Sequence, residues 1–468
     1  MAASVFHLTD TDALEVPFDP ASGTRRARGE SSLPAELAWQ FAEINRHRLA
    51  ALGVAVEPLY RGGFARLRLS SSSTIGSVPL ICPVSGKDTY GIVVEPRFTW
   101  AGVGPAMATT GWRVVPSILD LPLVPRSARD IPAWVIATAV LHRVAGMLSS
   151  LNRRFDMTEA TLASPRGRMQ WTTYATRHLA RARADRLPCR FADLGEDRDL
   201  TASIHYVLRK QLAAIEAERS AGPVVLELLA WCTDLLRHVE HVPARCPSPR
   251  DIGSWMRSPL VGDALRAGIE AIEWTVADRG LAGLSELSGL PWRLDMAVFY
   301  EAWVETIVSR VAMKSGGAVS VGRLGQTTVP LTWDPPYTGS QRSLIPDIIW
   351  QRQDHTIIVD AKYKHHWSEL SGSRWSDVAE VIREHHRADL LQVLAYGNLP
   401  DSSAVTLVLA YPCSPDQWLA LAERDANLHV ARVATGRRLL RVVLTGVPLD
   451  PSLLDRVSDL LRRKLAAT

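Results

Sequence analysis

From about Val54 to Val115 the chain runs in short apolar stretches cut by Gly, Pro and Ser, among them Phe64-Ala-Arg-Leu-Arg-Leu69 and Tyr90-Gly-Ile-Val-Val-Glu95. Alternation between turn signals predicts strands. From about Pro132 the period lengthens. Trp134 to Leu148 repeats apolar residues at helical spacing, and further helices are expected over Leu200 to Arg219 and Gly222 to His238, before Pro243, Pro247 and Pro249 close the block. The last third changes again: a helix over Asp295 to Lys314, strands over Ala318 to Val321, Ile345 to Trp350 and Thr356 to Ala361, a helix ending near Gly397, and a strand over Ala404 to Ala410. Helices interleaved with β-branched strands imply a mixed α/β domain around a central sheet. The expected division is a β-rich region over 1–130, a mainly helical domain over 131–285 and the mixed domain over 286–468. No internal repeat or low-complexity tract interrupts it.

Composition alters this picture little. At 468 residues, with 47% apolar and 22% charged residues, the chain has the balance of a folded protein with more than one core. A net charge of +4 does not by itself announce a nucleic-acid binder, so the placement of the basic residues matters more than their sum. The five cysteines, Cys82, Cys189, Cys232, Cys246 and Cys413, are scattered and form no CxxC pair, which points to reduced, buried thiols rather than a disulfide framework or zinc ribbon. No uncharged apolar run reaches about twenty residues, so no membrane span is expected and a cytoplasmic location follows.

The chemistry concentrates in Arg342-Ser-Leu-Ile-Pro-Asp-Ile-Ile-Trp350, a polar turn over Gln351 to His355, and Thr356-Ile-Ile-Val-Asp-Ala-Lys-Tyr-Lys364. These read as two strands joined by a hairpin. Side chains alternate faces along a strand, so Asp360 and Lys362 project to one side, with Ile357, Val359 and Ala361 on the other. If the register sets Asp347 opposite Asp360, two carboxylates converge beside an ammonium. Mg²⁺ takes one or two protein carboxylates and keeps several waters, and the Ala361 carbonyl lies between the two functional side chains as a further oxygen. Such an ion would polarise a phosphate oxygen and activate a water, with Lys362 orienting or deprotonating that water and stabilising charge at phosphorus. The competing reading is a surface hairpin with an ordinary Asp/Lys pair. On the nuclease reading, replacing Asp360 or Lys362 by Ala removes an exposed group and leaves the fold intact.

Pro346-Asp347, Asp360-Ala-Lys362 and Gln392-Val-Leu-Ala-Tyr396 together resemble the PD-(D/E)xK nuclease superfamily, the last element resembling the QxxxY motif of its RecB-like branch. More narrowly, Asp360-Ala-Lys-Tyr-Lys364, Asp389-Leu-Leu-Gln-Val-Leu-Ala-Tyr-Gly397, Leu409-Ala-Tyr-Pro412 and Phe299-Tyr-Glu-Ala-Trp-Val304 resemble McrC, the nuclease subunit of McrBC-type modification-dependent restriction systems. The likeness extends upstream through Arg166-Gly-Arg168, Cys189-Arg-Phe191 and Glu196-Asp-Arg-Asp-Leu200, although a D-x-x-x-N associated with that region stands here as Asp197 to Thr201, without the Asn. The resemblance implies a restriction-endonuclease-like mixed sheet flanked by helices. It also implies a Mg²⁺-dependent DNA endonuclease acting in antiphage defence on modified double-stranded DNA, and dependence on a separate McrB-like AAA+ GTPase. A free-standing repair or recombination nuclease and a non-catalytic adaptor of a partner NTPase are the alternatives. Intact Asp347, Asp360 and Lys362 weigh against the adaptor.

Within that resemblance Glu301, on the helix that opens the domain, is a further metal ligand, with Val298, Trp303 and Val304 expected to anchor it against the sheet; a solvated or Arg-paired carboxylate is the other reading. Gln392 and Tyr396 share a helical face and both can approach the site, or Tyr396 is a core residue with a satisfied hydroxyl. His365, His366, His385 and His386 suggest zinc, but adjacent histidines diverge and do not make a shared tetrahedral site. DNA contact is expected from the arginine-dense stretch between Arg143 and Arg190, with Arg166 and Arg168 as its representatives, unless those residues are only solvated helix surface. Ser85-Gly-Lys-Asp88 is no phosphate loop, since Ile81 and Asp88 stand where GxxxxGK[ST] needs Gly and Ser or Thr.

Overall fold

The computed structural model describes residues 4–18, 34–61, 64–119, 121–122, 133–151, 154–195, 197–257, 262–277, 290–364, 367, 375–435 and 438–466. Two compact units divide the chain, one made of residues 1–130, 222–224 and 286–468, the other of 131–221 and 225–285. Among the described residues no helix is long and apolar enough to cross a membrane.

The first unit begins with β1 (Ser4–Thr9), β2 (Ala13–Pro17), α1 (Pro34–Ala51), β3 (Val54–Arg61), β4 (Phe64–Ser71), β5 (Thr74–Ile81), β6 (Asp88–Glu95), α2 (Thr99–Thr109) and β7 (Ser117–Ile118). Alternation in β4 buries Ala65, Leu67 and Leu69 and turns the residues between them outward. β6 instead buries Ile92, Val93 and Val94 in succession because it is an inner strand, parallel to β1 and antiparallel to β5. Helix α1 locks to this sheet through Asn45, fully buried, whose amide donates to the Phe41 and Ile81 carbonyls at 2.9 Å each while its oxygen accepts from Ile81 N–H at 2.7 Å. The Ser85-Gly-Lys segment is the turn between β5 and β6, closed by Gly86 N–H on the Cys82 carbonyl at 2.9 Å.

The second unit is mainly helical, with α3 (Ala133–Ser150), α4 (Arg198–Glu216), α5 (Pro223–Arg237), α6 (Pro249–Met256) and α7 (Asp263–Val276). Helices α3 and α7 approach closely at Gly268, where a Cβ would stand 2.5 Å from Met147. Asp197 caps α4, accepting from Leu200 N–H at 3.0 Å, and the Thr201 hydroxyl donates back to the Asp197 carbonyl at 2.9 Å. The Asp197 to Thr201 pair is thus a helix start. The unit also holds a three-stranded sheet, β8 (Arg154–Leu162), β10 (Leu187–Gly195) and β9 (Arg168–Met169) in spatial order, which helical periodicity did not reveal.

The chain then returns to the first unit. β11 (Trp292–Asp295) joins the N-terminal sheet between β5 and β7, a fit that requires glycine at position 76, where φ is +144° and a Cβ would lie 2.1 Å from the Trp292 carbonyl. Asp295 caps α8 (Met296–Ser315), accepting from Ala297 and Val298 N–H. Next come β12 (Ala318–Val321), β13 (Val329–Pro330), β14 (Ser343–Leu344), β15 (Ile348–Arg352), β16 (His355–Ala361), α9 (Glu380–Tyr396), β17 (Ala404–Cys413), α10 (Pro415–Ala422), β18 (Leu428–Thr435), β19 (Arg438–Pro448) and α11 (Leu454–Ala466). Six strands form one mixed sheet in the order β12-β15-β16-β17-β19-β18, with β16, β17 and β19 mutually parallel. β16 is internal, which accounts for the unbroken apolar run that leads into Asp360. Phe299, Tyr300 and Trp303 of α8 are fully buried, and the Trp303 indole N–H donates to the Pro448 carbonyl at 2.9 Å. The fold is therefore mixed α/β, with a β-rich start, a helical middle and a helix-flanked C-terminal sheet. Cys82, Cys189, Cys232 and Cys413 are buried and unpaired; Cys246, expected buried, is exposed.

Candidate active site

β15 and β16 pair antiparallel with Ile348 opposite Val359, so one more step along the ladder brings Asp347 opposite Asp360. Asp347 Oδ2 accepts from the Ala361 N–H at 2.7 Å, which pins the residue before β15 to the end of β16. Lys362 Nζ lies 2.8 Å from Asp360 Oδ2, so these two side chains do share a face. Neither is the exposed group that the sequence predicts: Asp360 is 0% exposed and the Lys362 side chain 17%. The contact is a close ion pair rather than an aligned hydrogen bond, and both Asp360 oxygens are buried without an aligned donor.

Burial sets the electrostatics. It pushes the Asp347 carboxyl up to about 8, helped by the charges of Asp360 and Glu301 and opposed by the Ala361 N–H and Lys362. Burial also raises Asp360, against the lowering effect of Lys362. For Lys362, burial favours the neutral amine, but the attraction of Asp360 and Asp347 prevails and holds the ammonium above its ordinary range. Glu301, half-buried on α8, is raised by burial and by the neighbouring Glu305 and Asp360, against the pull of Arg323. Of its expected anchors, Trp303 and Val304 are buried, but Val298 is 39% exposed. The arrangement is cation-deficient: carboxylates crowd a desolvated spot with Lys362 as their close counter-charge.

The buried Asp360 oxygens, with Lys362 beside one of them, and the facing Asp347 carboxylate fit a hard divalent cation, which takes oxygen ligands and completes its shell with water. Among the described residues no three His, Cys, Asp or Glu side chains form a metal-holding group, so Glu301 does not close a three-carboxylate cage with Asp347 and Asp360. Gln392 and Tyr396 reach one shared point. The Gln392 amide donates to the Tyr396 hydroxyl at 2.9 Å, and that hydroxyl donates to the Ile345 carbonyl at 3.3 Å, two residues before Asp347. Tyr396 is thus a core residue with a satisfied hydroxyl, and that hydroxyl holds the strand entering the site.

Three neighbouring clusters escaped the sequence. Lys364 Nζ bonds Asp389 Oδ1 at 2.6 Å, the Tyr411 hydroxyl donates to Asp389 Oδ2 at 3.1 Å, and His386 Nδ1 lies 3.0 Å from that hydroxyl. Asp389 stands one helical turn before Gln392 and two before Tyr396, a spacing that could have disclosed it. The second cluster joins the N-terminal region to the site: Asp10 Oδ1 accepts from Arg97 N–H at 2.6 Å, and the Arg97 guanidinium lies 4.1 Å over the ring of Tyr363, next to Lys362. In the third, Glu305, 6% exposed, is held by Arg113 at 2.5 Å and Arg323 at 2.8 Å. No local pattern announces these last two, because their partners come from distant segments. His386 is buried on Tyr411, His385 is exposed, and His365 and His366 lie outside the described residues.

In the second unit, Arg143 belongs to the helical core, bonded to Glu270 at 2.6 Å and stacked 4.3 Å over Trp274. Arg166 and Arg168 are exposed; Arg166 lies 4.3 Å over Phe191, and Arg168 stands opposite Arg190 across the β9–β10 pair. Arg177, Arg181, Arg183 and Arg186 are exposed as well.

Residues 293–412, which include every candidate site residue of the mixed domain, match the family described as McrBC 5-methylcytosine restriction system component. Over that segment the chain is similar to the McrBC family. No curated protein matches the chain. Among solved structures it aligns with a chain of a refined half-complex from a tetradecameric assembly of Thermococcus gammatolerans McrB AAA+ hexamers with bound McrC, at 13% identity and a TM-score of 0.43, covering 99% of each chain. It also aligns with a chain of the Thermococcus gammatolerans McrBC complex at 12% identity and a TM-score of 0.27, covering 66% of this chain and 88% of that one.

Proposed function

We propose that this chain is the McrC-type nuclease subunit of a modification-dependent restriction system, and that its C-terminal sheet is a PD-(D/E)xK core hydrolysing DNA phosphodiesters with Mg²⁺. The observation that carries the reading is the β15–β16 register, whose next step beyond Ile348–Val359 sets Asp347 opposite Asp360, with Lys362 Nζ 2.8 Å from Asp360. Asp347 and Asp360 would hold the ion, with Glu301 within electrostatic reach. Bound there, Mg²⁺ would supply Lewis-acid polarisation of the scissile phosphate and charge neutralisation. The chain's own groups do the rest. Lys362, kept protonated by the two aspartates, donates to the phosphoryl oxygen that gains charge and orients the attacking water. The Ala361 N–H and the Tyr396 hydroxyl fix Asp347 and its approach, so that the carboxylates are placed before substrate arrives.

The family also carries the partner reading: an AAA+ GTPase of the McrB kind supplies recognition of modified DNA and nucleotide-driven motion, while regions before residue 285 engage partner and DNA. Purified with that GTPase, the chain is expected to cut methylated plasmid in the presence of Mg²⁺ and GTP, and Asp360→Ala is expected to cut none. Cutting by the Asp360 variant at the parental rate would overturn the site.

A further inference from the structure

Between β12 and β15 the chain projects a hairpin whose roots are fastened to the backbone of Asp347. Gly322 N–H donates to the Asp347 carbonyl at 2.7 Å, the Thr327 hydroxyl to the Pro346 carbonyl at 2.5 Å, and the Tyr396 hydroxyl to the Ile345 carbonyl at 3.3 Å. Three consecutive carbonyls at the site entrance are thereby tied down. Position 322 needs glycine for this, since a Cβ would stand 2.6 Å from the Pro346 oxygen. Beyond the roots, β13 and β14 pair Val329 with Leu344 and Pro330 with Ser343, and Leu331 N–H extends the ladder to the Arg342 carbonyl at 2.8 Å.

The tip presents Trp333, 41% exposed, and Tyr337, 58% exposed, with their rings at 77° and 6.1 Å apart. Trp333 spends its indole N–H inside the hairpin, on the Gln341 carbonyl at 2.9 Å, and the Gln341 amide donates in turn to the Ser343 carbonyl at 2.6 Å. Pro330, Pro335 and Pro336 restrict the backbone, which lowers the entropy lost when the tip engages a ligand. Across 329–344 the charged side chains are Asp334 near the tip and Arg342 near the root, one of each sign, so the tip is not built to track phosphates, which calls for clustered Lys and Arg. Ring faces without charge suit nucleobases, every one of which offers a π-face. Trp333 is bonded to Gln341, and the six residues from there to Asp347 span at most roughly 20 Å at about 3.3 Å each, which is some six base steps.

We infer that the 329–344 hairpin contacts DNA bases beside the scissile phosphate, with Trp333 and Tyr337 stacking on or wedging against bases of the strand entering the Asp347–Asp360 site. DNA as the occupant rests on the nuclease reading. The test uses the full chain in an Asp360→Asn background, which prevents cutting, with duplex and single-stranded oligonucleotides carrying 2-aminopurine. Trp333→Ala with Tyr337→Ala is expected to weaken binding at least ~10-fold, on the scale of one or two lost stacking contacts, and to abolish the change in 2-aminopurine fluorescence. The salt dependence should stay as in the parent, because no phosphate contact is lost, and thermal unfolding should not move. Trp333→Phe with Tyr337→Phe should restore both signals.

Parental affinity and fluorescence in the double alanine variant would overturn the inference. So would a loss confined to binding of the GTPase partner, or a weakened affinity accompanied by a shallower salt slope. The nuclease reading fails separately: a parent with Asp360 intact that binds DNA with the ring-dependent fluorescence change yet never cuts leaves the hairpin standing and removes the active site. A parent that binds no DNA overturns both.

Discussion

Asp347→Asn distinguishes a metal-holding carboxylate from a structural one by the sign of its effect on stability. In the metal-free protein the Asp347 carboxyl, pushed up to about 8, retains a proton that the unfolded chain releases in the ordinary carboxylate range. The folded state then binds more protons than the unfolded state between those limits. Stability therefore falls as pH rises through that window and levels off above the folded value. Each pH unit is worth about 1.4 kcal/mol, which sets a ceiling of ~6 kcal/mol across the window. Relaxation and water penetration around a real buried pair reduce the effect to about 2 kcal/mol. Asparagine cannot ionise, keeps an oxygen for the Ala361 N–H, and can donate toward Asp360. The metal-free variant should melt a few degrees above the parent at pH 8, at about 2–4 °C per kcal/mol, and the gap should narrow toward pH 5. Addition of Mg²⁺ should raise the melting temperature of the parent and leave the variant unmoved, while DNA cleavage falls at least ~1,000-fold, the scale of a lost charge-stabilising group. A variant that melts below the parent at pH 8 without metal, and still responds to Mg²⁺, would refute the assignment.

Lys362→Met is expected to eliminate cleavage and, contrary to a surface-residue expectation, to lower stability by about 3 kcal/mol near neutral pH, because it strands the buried Asp360 without its cation; unfolding curves beside nuclease assays read both. Arg97→Met keeps the backbone N–H on Asp10 but removes the guanidinium over the Tyr363 ring and its bond to the Thr11 hydroxyl, and should cost about 2 kcal/mol and reduce cleavage, whereas unchanged melting and activity would show that the N-terminal sheet does not support the strand carrying Asp360. Neutralising Arg166 and Arg168 together should weaken DNA binding or partner assembly with a salt slope shallower by roughly one unit per lost phosphate contact, leaving the Mg²⁺ response at Asp347 and Asp360 unaltered; a variant that unfolds would mark them as structural. The isolated chain should turn over no GTP, since its Ser85-Gly-Lys segment is a hairpin turn, and turnover that tracks purity would expose a nucleotide site elsewhere.

What was legible in the sequence was whatever depends on near neighbours. Asp360 and Lys362 share a face because a strand alternates, and Asp347 faces Asp360 because a short hairpin has only a narrow choice of register. The helix over Asp295 to Lys314 appears one residue later as Met296–Ser315, with Asp295 as its cap, since cap chemistry is also local. The β8–β10 pair is not legible for the opposite reason: its strands lie between strong helical patterns and join residues such as Glu159 and Arg190 across an intervening segment that itself carries β9 and short helical turns. Exposure was misjudged at Lys362 and Asp360 because burial on the far side of a strand depends on which strands and helices cover it, and β17 and α9 lie far downstream.

The same reasoning explains why the supports of the site were invisible while its core was not. A carboxylate pair that binds a cation must be held in an unfavourable, desolvated arrangement without the cation, and the restraint has to come from groups that do not themselves bind it. Here those groups are the Ala361 N–H on Asp347, the Tyr396 hydroxyl on the Ile345 carbonyl, the Gly322 N–H on the Asp347 carbonyl and Arg97 over Tyr363. Two are backbone groups, which carry no residue signature. The other two come from segments brought alongside only by the fold. A motif therefore reports the groups proposed to touch metal and substrate, and the stability that keeps Asp347 facing Asp360 is spread over contacts that no short pattern can encode.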